Sequence, residues 1–275
     1  PASNARPRLL ERLYPYLERS PVAQRAMSRQ FFGRGLDQWQ APGFGHQPRW
    51  SSTSALKRLL SLDLRERVGG HDAIRDVLDD LPGSFSQWSP LARDQYLEVR
   101  TLMSSYLLSS QGDRMLMAHS VEGRFPFLDR CVAALAESLP AKYKLKVLDE
   151  KHVLKRAARS IVPDEILGRP KQPYRAPDAL SFAEPDAAGW MQDVASDTAI
   201  RQAGCFDQGA AARLLAKCRE RAASGQFSNA DNMGVVGVLS TQLVYEQFIR
   251  RRPQAAAPSV VRTIVDRVAH PHGVS

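Results

Sequence analysis

The chain has 275 residues, 43% of them apolar, and a formal charge of +9. That is enough apolar material for one large domain or two small ones, and no uninterrupted apolar run approaches the roughly 20 residues needed to cross a bilayer. Three cysteines, Cys131, Cys205 and Cys218, lie far apart with no C-x-x-C pair, which argues against both a disulfide framework and a zinc site.

All three are expected to be reduced and mostly buried. The opening PASNARPRLL has neither an initiator Met nor the apolar core of a signal peptide, so a cytoplasmic location is expected, for a chain cut from something longer. The charge is uneven: residues 1 to 68 hold 12 Arg or Lys against 5 Asp or Glu. Such a face attracts polyanions such as nucleic acid, nucleotides or an acidic partner. Ordinary solvation of helix surfaces explains it equally well.

In chain order, residues 6–32 read as two helices parted by Ser20-Pro21, with Leu9, Leu10, Leu13, Tyr16 and Leu17 at helical spacing and Pro15 shortening the first. Residues 33–53 carry four Gly, two Pro and two Trp without periodicity and read as a long irregular connection, of the kind that serves as a lid or interdomain loop. Gly33-x-Gly35 lacks the third glycine and the preceding strand of a dinucleotide loop.

From residue 54 the spacing predicts helices over 54–67, 71–81, 90–109, 113–119, 129–138, 150–161, 164–168, 207–223 and 232–250, with almost no strand-like alternation. Asp63, Ser89, Asp149 and Asp207 stand where N-caps are wanted, and Pro82-Gly83, Pro140 and Pro163 punctuate the ends. The segment NMGVVGVLSTQLVYEQFIR is apolar around most of its circumference and reads as a central buried helix. Residues 253–275 read as a loosely attached tail, in which the H-P-H at 270–272 is a weak signal for metal.

The chemically informative stretch is 111–178. In H-S-V-E-G-R-F-P-F-L-D-R, Glu122 and Arg124 lie two residues apart on a segment stiffened by Pro126, which holds both head groups in one small space. A structural ion pair accounts for them as well as a catalytic role does. Lys171, framed by Pro170 and Pro173, hangs on a loop of restricted freedom, suited to neutralising a polyphosphate although most loop lysines are simply solvated. Asp129 reads as a helix cap, Phe125, Phe127 and Leu128 as core, and Lys151 and His152 as structural or rim residues.

The series D-R-M-L-M-A-H-S-V-E-G-R-F-P-F-L-D, K-H-V-L-K and P-D-E-I-L-G-R-P-K-Q, in that order, resembles the C-terminal part of glutamine-dependent asparagine synthetases. The closing F-D at 206–207 and D-N-M-G-V-V-G-V-L-S-T-Q-L at 231–243 extend the likeness. The resemblance implies a mainly α chain over residues 1–252. It would be the helical C-terminal half of an adenine-nucleotide α-hydrolase-like (PP-loop) α/β synthetase domain whose parallel sheet lies mostly upstream.

It further implies an ATP-dependent carbon–nitrogen ligase, with ATP and Mg2+ as cofactors. Its partners would be aspartate or a related carboxylate and ammonia from glutamine, made by a glutaminase domain outside this chain. Lys171 matches the lysine that family members place among the reacting phosphates. Glu122 matches a glutamate that in cyclising relatives orients the base acting on the incoming amine. Arg124 would hold Glu122 or touch phosphate or substrate carboxylate.

The Ser-Gly-Gly-x-Asp-Ser nucleotide loop of the family is not found in these residues, nor is its N-terminal catalytic cysteine. The chain alone is therefore expected to bind ATP poorly and to be inactive. Its exposed apolar patches would favour association, a homodimer being one form. No nucleic-acid or membrane partner is expected. The competing readings are a sister amide ligase acting on another carboxylate, a basic helical nucleic-acid binder, and a non-catalytic scaffold.

Overall fold

A computed structural model describes residues 36–169, 179–183, 189–224 and 227–252. The fold is mainly helical. The elements are α1 (Gln47–Ser54), α2 (Leu62–Val68), α3 (Ala73–Asp79), α4 (Pro90–Glu98), α5 (Arg114–Ala118), α6 (Arg130–Ser138) and α7 (Ala141–Lys144). A hairpin of β1 (Leu145–Lys146) and β2 (Asp149–Glu150) follows, then α8 (His152–Ala157), α9 (Asp164–Gly168), α10 (Leu180–Ala183), α11 (Gly189–Val194), α12 (Asp197–Ala203), α13 (Gln208–Arg221) and α14 (Asn229–Val244). No described helix is long and apolar enough to cross a membrane. The residues group into two compact units, one of 36–57 with 68–169 and one of 58–67 with the described residues beyond 178.

In the first unit α1 replaces the end of the expected irregular connection at 33–53. Pro48 sits in its first turn, where the missing N–H costs nothing. Before it Gly43 takes a left-handed φ of 76°, and a Cβ there would lie 2.6 Å from the Trp50 ring, so only glycine fits. Asp72 caps α3 by accepting from the Ile74 N–H at 3.0 Å, and Ser89 caps α4 through the Ala92 N–H at 3.3 Å. The core forms where Leu97 and Phe85 are buried, with Tyr96 edge-on and Trp88 tilted against the phenyl ring.

The helix expected over 90–109 keeps α geometry only to Glu98. From Val99 to Asp113 it widens to a π-helix, and at its end the Arg114 N–H reaches back five residues to the Ser109 carbonyl. Asp129 caps α6 as expected, accepting from the N–H groups of Cys131 and Val132 at 2.9 and 3.2 Å.

Asp149 does not cap the helix after it. Its carboxylate is taken by the Lys155 ammonium at 2.7 Å and the His152 ring at 2.6 Å, and Lys151, left-handed at φ 56°, precedes α8 instead. Phe125, Phe127 and Leu128 are exposed rather than core, with 44%, 67% and 43% of their surface open among the described residues. Cys131 is likewise exposed, Cys205 is half-buried and Cys218 is buried.

The second unit is built on α13 and α14. Asp207 caps α13 through the Ala210 N–H at 2.7 Å. Ser228 and Asp231 form a capping box on α14, and Lys217 bonds the Asp231 carboxylate at 2.6 Å. Ala211, Leu214 and Cys218 face Gly234, Val235, Val238 and Leu239, and a Cβ on Gly234 would lie 2.8 Å from Leu214 and 3.3 Å from Leu59. Burial follows one face of α14 rather than its whole circumference: Val236 and Val244 are exposed, as are Phe248 and Ile249 in the π-helical turn Tyr245–Arg250 that continues it.

A distant stretch is clipped to this pair. The Asp207 N–H bonds the Leu59 carbonyl at 2.9 Å, the Ser61 N–H bonds the Cys205 carbonyl at 3.0 Å, and the Ser61 hydroxyl donates to the Gly204 carbonyl at 2.7 Å. Ser61 also takes the capping role expected of Asp63, accepting from the Leu64 N–H at 3.2 Å. Nearest to α2, its shorter side chain reaches the first turn from outside, where Asp63 is already inside the helix.

Candidate functional site

Glu122 owes its place to the way α5 ends. The Ser120 N–H bonds the Met117 carbonyl at 3.1 Å and the Val121 N–H bonds the Leu116 carbonyl at 2.9 Å, the paired reverse bonds of a Schellman turn. The residue at its hinge is Ser120, at φ 55°. Glycine takes that left-handed conformation freely, whereas a side chain costs about 1 kcal/mol there. The chain then folds back so tightly that a Cβ on Gly123 would fall 2.5 Å from Leu116 and 2.9 Å from the Phe125 ring. Glu122 is thus pinned between a left-handed turn and a close backbone approach.

The walls of an open depression of about 500 Å³ are Asp113, Leu116, Met117, Ser120, Val121, Glu122 and Gly123. Arg124 bonds Glu122, Nη2 to Oε1, at 2.7 Å, so the two head groups singled out from sequence do meet. The pair is not a buried one, since the Glu122 side chain is 74% exposed and that of Arg124 83%. A pair so wet adds little to stability, which leaves the carboxylate accessible to a ligand. Lys171 lies outside the described residues, as do residues 6–32 with their two expected helices, the tail and its H-P-H.

Asp113 and Ser120, not singled out from sequence, share the depression with Glu122. Asp113 follows Gly112 in an ordinary polar run, and the left-handed backbone of Ser120 has no signal in residue type. Elsewhere in the first unit a second polar cluster forms: His46 is buried, with Nε2 2.9 Å from the Glu98 carboxylate and Nδ1 3.7 Å from Asp94. Bonds from Arg49, first of all, hold the Glu98 carboxyl below the usual glutamate range, with His46 adding to them against the effect of burial. Lys155, then His152, lower Asp149 in the same way.

The described residues offer no group of three His, Cys, Asp or Glu able to hold a metal ion. Among the described residues the depression presents two carboxylates, Asp113 and Glu122, and no lysine or arginine on its walls. The described walls of this depression therefore do not by themselves cradle a triphosphate, which needs converging N–H groups or cations.

The chain belongs to the asparagine synthase family, whose model matches residues 3–246. The chain is similar to amidase chry2 of Gibberella zeae, 34% identical over 97 residues, 33% of this chain and 14% of that protein. It is similar to asparagine synthetase (glutamine-hydrolyzing) 1 of Bacillus subtilis, 36% identical over 103 residues, 38% of this chain and 16% of that one. It is also similar to asparagine synthetase (glutamine-hydrolyzing) 3 of the same organism, 36% identical over 83 residues, 30% and 14% of the two chains. The chain thus spans only 14% to 16% of the length of these curated relatives. No solved structure matches it at a significant level.

Proposed function

We propose that residues 1–252 are the later, helical half of a PP-loop synthetase domain in an ATP-dependent amide ligase, with aspartate as the carboxylate. An oxygen of the side-chain carboxylate attacks the α-phosphorus of ATP and the bond to the β,γ-diphosphate breaks, giving an acyl-adenylate and pyrophosphate. Ammonia from glutamine then attacks the acyl carbon and AMP leaves with the electron pair of the C–O bond, giving asparagine. A free carboxylate is a poor electrophile, and AMP is the leaving group that lets a neutral amine add.

In this reading Lys171 neutralises charge that builds on the phosphates, Glu122 orients the group that takes the proton from the incoming amine, and Arg124 holds Glu122 at the rim. Mg2+ would screen the phosphates. None of these steps is assigned to it, since the described residues form no metal cluster.

The observation that carries the reading is the family match over residues 3–246. The accessible, pinned Glu122 on a depression supports the role given to that residue. The test is aspartate-dependent release of pyrophosphate from ATP by the complete protein. No stimulation by aspartate removes it as the acceptor, and stimulation by another carboxylate instead moves the protein to a sister ligase.

A further inference from the structure

We infer that Ser120 is a substrate-contacting residue, its hydroxyl bonding the carboxylate-bearing molecule that occupies the depression beside Glu122. The inference rests on the ligase reading for the identity of that molecule and on the backbone for everything else.

Position 120 penalises what it carries. It is the hinge of the Schellman turn that ends α5, held by the Ser120 to Met117 and Val121 to Leu116 bonds, with φ at 55°. Glycine satisfies that geometry without strain, so a turn requirement alone argues for glycine here and against any Cβ. Backbone strain of this kind persists where something else is gained by it, most often at a binding site.

Among the described residues two other side-chain-bearing residues are left-handed, Val147 and Lys151, around the β1–β2 hairpin and the start of α8, and neither stands on the walls of this depression. Ser120 does, on the same wall as Glu122 two residues on. Its backbone N–H is used by the turn, and its exposed hydroxyl bonds no described protein group. A hydroxyl both donates and accepts, so it can donate to a carboxylate or phosphoryl oxygen or accept from an amine. The two carboxylates of the depression cannot donate when ionised, which makes Ser120 the neutral side-chain donor that the described walls otherwise lack.

Two variants of the complete protein separate hydroxyl from backbone. Ser120→Ala removes the hydroxyl and keeps the strained Cβ, whereas Ser120→Gly removes both. The measurement is pyrophosphate release as a function of carboxylate concentration, alongside thermal unfolding. A substrate contact predicts that both variants raise KM for the carboxylate about five- to tenfold, the loss of one hydrogen bond. Only Ser120→Gly should raise Tm. Wild-type KM in the glycine variant, with Tm raised, makes Ser120 a turn residue only and overturns the inference while leaving the ligase reading intact. If the unmodified protein releases no pyrophosphate with any carboxylate, the ligase reading itself fails and the contact falls with it.

Discussion

Arg49 clasps Glu98 with both terminal guanidinium nitrogens, Nη1 3.1 Å from Oε1 and Nη2 2.7 Å from Oε2. The bidentate fork ties α1 to α4 and fixes the carboxylate on which the buried His46 ring also leans. Neither residue is near the other in sequence.

Replacing Glu98 with Gln is therefore expected to lower stability by about 1–2 kcal/mol at neutral pH. Glu98 is held below the ordinary glutamate value, so its contribution is complete above about pH 4.3 and is lost as pH falls through the lower folded value. Urea unfolding of both proteins between pH 7 and pH 3 should show the gap closing on acidification. A gap that widened would contradict the sign.

Asp231 is buried, and its pKa is lowered overall: burial opposes the charge, but bonds from Lys217 and Ser228 outweigh it. Asp231→Ala removes one arm of the capping box and the partner of Lys217, and should cost about 2 kcal/mol. Lys217→Ala should cost less, because the N–H and hydroxyl of Ser228 still bond Oδ2 of the carboxylate. Chemical denaturation at pH 7 orders the two variants, and the reverse order would refute the arrangement.

Two glycines on α14, three residues apart, should respond in opposite directions. Gly234→Val drives its side chain into Leu214 and Leu59 and is expected to destabilise by about 2 kcal/mol. A Cβ at Gly237 meets nothing within 4 Å, so Gly237→Ala should stabilise by up to about 1 kcal/mol through helix propensity. Thermal unfolding of the pair checks the packed face of the helix.

At the depression, Glu122→Gln should leave Tm within experimental scatter, since the Arg124 pair is mostly exposed. In the complete protein it should lower carboxylate-dependent amide formation about a hundredfold, because the base that Glu122 orients, whose proton transfer contributes about a hundredfold or more, is no longer held in place. Arg124→Ala should have a smaller effect through looser placement of Glu122, and Lys171→Ala should suppress adenylation itself. Amide formation unchanged in Glu122→Gln would remove that residue from the site.

What could be read from sequence was local. Ser89, Asp129 and Asp207 were legible as caps because a side chain bonding an N–H two or three residues ahead depends on nothing else. Asp63 and Asp149 fail the same reasoning because a neighbour competes: Ser61 reaches the first turn of α2 before Asp63, and Lys155 and His152 draw Asp149 away. The density of Gly and Pro over 33–53 concealed α1, whose proline starts the helix rather than breaking it. The β1–β2 hairpin has strands too short to alternate and a β-branched Val147 in a left-handed turn. At the site, Glu122 and Arg124 met as expected because only one residue parts them. The turn that aims them is a property of backbone angles, which residue type does not display.

Residues 58–67 belong with a unit whose other described parts begin at 179, while 68–169 belong elsewhere. During synthesis, then, Leu59 and Ser61 must wait for Gly204, Cys205 and Asp207 to emerge before their carbonyl and hydroxyl bonds can close. The intervening excursion adds only a logarithmic entropy to that closure, but it makes the contact a late one. The second unit therefore closes only after the first has been made, and a ribosome stalled before residue 204 would hold a chain whose 58–61 stretch lacks the bonds of Gly204, Cys205 and Asp207.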